Sequence, residues 1–179
     1  MSRRGHVLSA MMAIAVAGSI VGCTPQSAPS PSPSTSATAF SSDAEAFAAA
    51  EATIRRYIDA SNALQLDDNA SVEAFLSIST GTQHTFDKER VESYRSRGYT
   101  VSGTTSLLRV ERDAVSITGG TVSLGICLDV SDVEVRDSSG RSVISPDRPD
   151  LQNLIAVTAG YPLQVLSIEG TTEIDSCLG

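Results

Sequence analysis

Residues 121–135 constrain this chain most tightly. Val122, Leu124, Ile126, Leu128 and Val130 alternate there with Ser123, Gly125, Cys127 and Asp129, and a period of two sends the two sets to opposite faces of one half-buried strand. Around it the sequence keeps strand character. Residues 99–110 are rich in Thr, Val and Leu, and no proline stands between Gly98 and Pro146. Gly119-Gly120 marks a turn between a strand at 115–118 and the long run, and Asp137-Ser138-Ser139-Gly140 marks another before Val143-Ile144. After a polar crossing at 146–149, residues 151–158 resume the strand pattern and Gly160-Tyr161-Pro162 turns the chain into 163–168. A short last strand at 171–177 returns toward the sheet.

Ahead of Gly98 the apolar period is helical. Ser42-Asp43-Ala44-Glu45 fits a capping box, in which the serine satisfies a first-turn amide and Glu45 reaches back. Phe47, Ala50, Ile54, Tyr57, Ile58 and Ser61 then recur at steps of three and four, predicting a helix to Ala63 or Leu66. Asp67, Asp68 and Asn69 stop it and cap a short second helix through Val72, Phe75 and Leu76, ending before Gly81. Thr85 is the expected cap of a third helix carrying Phe86, Val91 and Tyr94 on one side. Gly98 is its expected left-handed terminator. About 140 residues follow position 40, the usual size of one domain with one core.

The first forty residues follow a different logic. Arg3 and Arg4 precede an apolar run, 7–21, too short to span a bilayer, and the small residue Gly22 follows it. That is the build of a secretory signal. Ser19-Ile20-Val21-Gly22-Cys23 reads as a lipobox, and this N-terminus resembles the precursors of bacterial lipoproteins. The resemblance implies that residues 1–22 are removed and that Cys23 carries a diacylglyceryl group on the extracytoplasmic face of the cell membrane. Two acyl chains, at ~0.8 kcal/mol per buried CH2, hold a protein there stably. Ser2-Arg3-Arg4 with Val7-Leu8 loosely resembles a twin-arginine signal, although His6 stands where an aromatic is favoured. The export route stays open.

Losing Arg3 and Arg4 moves the formal charge from −8 to −10. So acidic a surface repels nucleic-acid phosphates, and nucleic acid is not an expected partner. Residues 24–39 are almost wholly Ser, Thr, Pro and Ala, with prolines at 25, 29, 31 and 33. They read as a linker from lipidated Cys23 to residue 40, able to lift a domain spanning 41–179 by ~50 Å. With Cys23 lipidated, Cys127 and Cys177 are the remaining thiols, in an oxidising compartment. They read as a disulfide tying the last strand to a central one, the alternative being two separate buried thiols.

Three helices ahead of about five strands make an α+β order, with the helices packed on one face of a curved, mainly antiparallel sheet. From residue 41 onward the chain resembles the SnoaL-type, nuclear-transport-factor-like cone domains found in small actinobacterial lipoproteins. Residues 47–58 stand for the long helix and Gly98-Tyr99-Thr100-Val101 for the start of the sheet. A cystatin-like sheet is the other fold in view. The cone resemblance implies a pocket between long helix and sheet, where catalytic relatives set a carboxylate or histidine against a tyrosine. Tyr57, Tyr94 and Asp129 are the candidates to line it. The plainer reading makes both tyrosines core residues with their hydroxyls at the rim, and Asp129 a solvated carboxylate.

Other chemistries have little support. His84 stands in a polar loop without a second histidine to share a metal, and no metal or cofactor is expected. There is no Gly-x-Ser-x-Gly elbow and no glycine-rich phosphate loop after a strand. Basic residues between 88 and 97 are interleaved with acids, as on a solvated helix face. The leading expectation is a lipid-anchored, non-enzymatic domain that binds a small ligand or an envelope protein. The alternatives are a cone-type enzyme using Tyr57 and Asp129 as acid and base on a small apolar substrate, and an accessory protein dimerising through the open sheet face.

Overall fold

A computed structural model describes residues 40–116, 119–173 and 175–178. The expected signal peptide, Cys23, the expected linker up to residue 39 and two positions of the expected 115–118 strand lie outside the described residues. Helix α1 (Asp43–Asn62) begins as the capping box requires, with Ser42 Oγ accepting from the Glu45 amide at 3.2 Å. Glu45 reaches one residue further back than expected, to the amide and hydroxyl of Ser41, whose hydroxyl above all holds its carboxyl below the usual range. The stripe Ala46, Ala50, Ile54, Tyr57 and Ile58 is buried. Helix α2 (Asn69–Leu76) is capped by Asp68 and buries Val72 and Phe75.

Helix α3 (Gly81–Arg97) corrects one expectation: its N-cap is Thr80, not Thr85. The cause is tertiary. The chain leaving α2 makes a parallel bridge at Ser79 to Val165, with Thr80 N donating to Val165 O (2.8 Å) and Val165 N donating to Ile78 O (2.9 Å). It must turn from extended to helical within one residue, and Gly81 does so at φ 55°. A Cβ there would stand 2.5 Å from Leu166 Cδ1. His84 therefore sits in the first turn of α3 rather than in a loop, with Nδ1 3.0 Å from Leu76 O. At the far end Gly98 is left-handed, φ 63°, as the sequence predicts.

The strands are β1 (Thr100–Ser102), β2 (Ser106–Ser116), β3 (Thr121–Asp129), β4 (Glu134–Arg136), β5 (Leu151–Ala159) and β6 (Gln164–Gly170). All named pairings are antiparallel, but they form two sheets, β2-β3-β5-β6 and β1-β4, instead of one sheet of about five strands. The division has local causes. Asp129 ends β3 by accepting from the Ser131 amide (2.9 Å), and Arg148 fixes the following bend through the carbonyls of Val130 (2.7 Å) and Val133 (3.1 Å). Gly103, at φ 78°, passes so close to this bend that a Cβ would lie 1.8 Å from Asp132 O. The chain on either side, β1 and β4, pairs apart from the main sheet.

The core lies between α1, α2 and one face of the larger sheet, where Ile54 and Phe75 meet Leu124, Ile126, Ala156 and Val165. The alternation of β3 holds: Val122, Leu124, Ile126 and Leu128 all join this cluster. Cys127 faces the other way and is nonetheless buried. It bonds to Cys177, 50 residues on, and Ser176 N donates to Asn153 Oδ1 (2.8 Å) on the neighbouring strand. The segment that carries Cys177 is not the expected last strand. Its described residues form turns, with Asp175 accepting from the amides of Cys177 and Leu178.

Candidate functional site

Tyr57 projects from α1 toward α3 and enters a buried polar cluster. Its hydroxyl donates to Asp87 Oδ1 at 2.8 Å, and Gln83 Nε2 donates to both Tyr57 Oη (2.9 Å) and Asp87 Oδ1 (3.1 Å). Arg90 adds a third donor through Nη2 at 3.2 Å. Helical spacing explains the convergence, since Gln83, Asp87 and Arg90 stand four and three residues apart on one face of α3. Asp87 is 0% exposed, and its second oxygen, Oδ2, has no partner among the described residues. Burial, and then the Asp87 charge, push the Tyr57 phenol well above its ordinary value. At neutral pH Tyr57 is therefore a donor that holds Asp87 in place.

The same cluster fixes Arg90. Its guanidinium lies over the rings of Phe75 (5.6 Å to the centroid) and Phe86 (5.8 Å), and the Tyr57 ring packs on Phe75 at 5.3 Å. The Arg90 side chain stays 31% exposed. A cation held by one carboxylate and two ring faces keeps its remaining edge for something else.

Arg90 is also among the residues that line a recess of about 60 Å3. Ser61, Leu64 and Leu66 line it from α1 and its exit, and Val91, Tyr94 and Val101 from α3 and β1. It has room for about four waters. A shallower cleft of about 440 Å3 shares Leu64, Leu66 and Val101 and continues past Tyr99 and Asp67. The Tyr94 and Tyr99 rings stand 5.7 Å apart, Arg97 lies over Tyr99, and Arg95 Nε donates to Leu66 O to tie the α1 exit to α3.

Of the residues singled out in the sequence, Tyr57 and Tyr94 come to this region, the first inside the cluster and the second on the recess wall. Asp129 does not join them. It points away from the core face of β3, and hydrogen bonding to Ser131 holds its carboxyl below the usual range. The carboxylate that meets Tyr57 is Asp87, which sequence reasoning passed over beside the charged residues that follow it. One signal was present: Asp87, Val91 and Tyr94 recur at steps of four and three, on the stripe that faces inward. Among the described residues no three His, Cys, Asp or Glu side chains are grouped to hold a metal ion. No described helix is long and apolar enough to cross a membrane.

These features define a class: an α+β domain with three helices on an antiparallel sheet and an arginine presented at a recess by a buried tyrosine–aspartate pair. No protein-family model matches the chain, and no curated protein sequence does either.

Proposed function

We propose that this chain is a lipid-anchored extracytoplasmic protein whose cone-like domain binds a small amphipathic ligand along the recess between α1, α3 and β1 and the larger cleft that continues from it. The observation that carries the reading is the recess itself, apolar on its walls yet bordered by a guanidinium that the fold holds in place. Small-molecule sites combine such walls with a few fixed polar groups. The lipobox-like segment ending at Cys23 and the proline-rich linker support a domain held off a bilayer at its outer face. The order of three helices before antiparallel strands supports the SnoaL-like reading. Binding rather than catalysis is favoured because the Tyr57 hydroxyl and Oδ1 of Asp87 are engaged in positioning Arg90.

Nile red, whose fluorescence rises in apolar surroundings, tests the recess in the full chain. Val101 is 47% exposed, so Val101→Trp enlarges a recess wall with little demand on the core. Dye affinity is expected to fall at least about fivefold in this variant, as a filled cavity loses its occupant. The two chains share the same N-terminal segment, so their difference reports on the recess alone. Equal dye affinity in both would overturn the reading.

A further inference from the structure

We infer that the recess selects an amphiphile with one carboxylate head, and that Arg90 is the residue that sets this preference; the inference rests on the ligand-binding reading above. Arg90 uses one nitrogen on Asp87 Oδ1, and Asp87 is its sole hydrogen-bonded partner among the described residues. Its guanidinium carbon lies over the rings of Phe75 and Phe86, which carry no polar atom to occupy its N–H groups. What is left is a planar row of N–H donors, and a carboxylate is the small anion that matches it with two parallel bonds.

The surroundings orient such a ligand. Ser61 from α1 and Tyr94 from α3 are the other polar residues of the recess lining, while Leu64, Leu66, Val91 and Val101 accept an apolar chain. Asp67 stands at the outer cleft, where it disfavours an anion. The head is thus directed inward to Arg90 and the chain outward past Leu66 and Tyr99. The charge of Asp87 is met by Tyr57, Gln83 and Arg90 together.

The test is displacement of Nile red from the full chain by sodium octanoate and by 1-octanol, which share a chain length and differ in the head. Octanoate is expected to compete at least tenfold more tightly than octanol, in line with a charge-assisted pair of hydrogen bonds. Arg90→Gln should abolish the preference, read as the ratio of octanoate to octanol competition within that variant. If that variant does not fold, Arg90→Lys keeps a cation beside Asp87 and lacks the planar fork, and there the preference should fall at least threefold. Equal competition by the two probes on the wild-type chain, or a full preference kept by Arg90→Lys, overturns the inference. Either result leaves ligand binding standing if Val101→Trp still weakens the dye; dye binding insensitive to Val101→Trp would remove the underlying reading instead.

Discussion

Replacing Phe75 with alanine is expected to lower the stability of the domain by about 3 to 5 kcal/mol, the usual range for deleting a fully buried aromatic ring. Phe75 is 1% exposed and sits where three parts of the argument meet. It packs in the core with Ile54 and Leu124, its ring supports Tyr57, and Arg90 lies over it. The cost has two sources. Removing the ring returns apolar transfer energy and leaves a cavity that α1 and the sheet, joined to each other elsewhere, cannot close. It also loosens the donors around Asp87, a carboxylate with no access to water that tolerates their loss badly. Urea unfolding of the full chain measures this as a lower midpoint at an unchanged slope, with Phe75→Leu costing only about 1 kcal/mol. A loss below about 1 kcal/mol for Phe75→Ala would mean that Phe75 does not hold the core and the cluster together.

The second large effect is expected at Cys127 and Cys177. Their bond closes a loop of 50 residues, which on the chain-entropy model removes about 4 kcal/mol of freedom from the unfolded chain. Measured values usually fall somewhat below this, so the double variant Cys127→Ala with Cys177→Ala should lose about 2 to 4 kcal/mol. A native-state consequence should accompany it. The last turn is held to the sheet by this bond and by Ser176 N on Asn153, and without the bond it should become the first site of proteolytic cleavage. Unfolding midpoints that agree with and without reductant, together with an unchanged cleavage pattern, would contradict the link.

Where the chain's local pattern agrees with the final packing, the sequence was sufficient. The capping box and the stripe through Ile54 and Tyr57 located α1, Gly98 ended α3, and the strict alternation from Val122 to Leu128 identified both the central strand and its inner face. The departures arise where a distant segment decides. Thr85 is a reasonable cap by residue type, but the bridge from Ser79 to β6 moves the helix start to Gly81, and nothing near Gly81 in sequence announces Leu166. Likewise the split into two sheets depends on Gly103 passing the Asp132 carbonyl, a contact between residues 29 positions apart. The C-terminal segment has strand-like surroundings in sequence; the Cys127–Cys177 bond and hydrogen bonds of Thr171 and Ser176 to Asn153 hold it to the sheet without a ladder.

The candidate site was half legible. Tyr57 and Tyr94 followed from the inner stripes of their helices. Asp129 was chosen because it alternates with core residues, which is also why it faces away from them. Asp87 was hidden by its type, since a carboxylate in a charged helix is ordinarily solvated. Only the tertiary placement of Tyr57 and Gln83 opposite it makes burial tolerable, and that placement has no one-dimensional signature.

Tethering is what would put this cleft at a membrane surface, and it is tested most directly by the intact mass of the chain recovered from the membranes of a bacterial host expressing it. The expected result is a chain running from Cys23 to Gly179 with the added mass of a diacylglyceryl group, and its loss from the membrane fraction in a Cys23→Ala variant. An unacylated chain, or a Cys23→Ala variant that fractionates with the membrane unchanged, would contradict it.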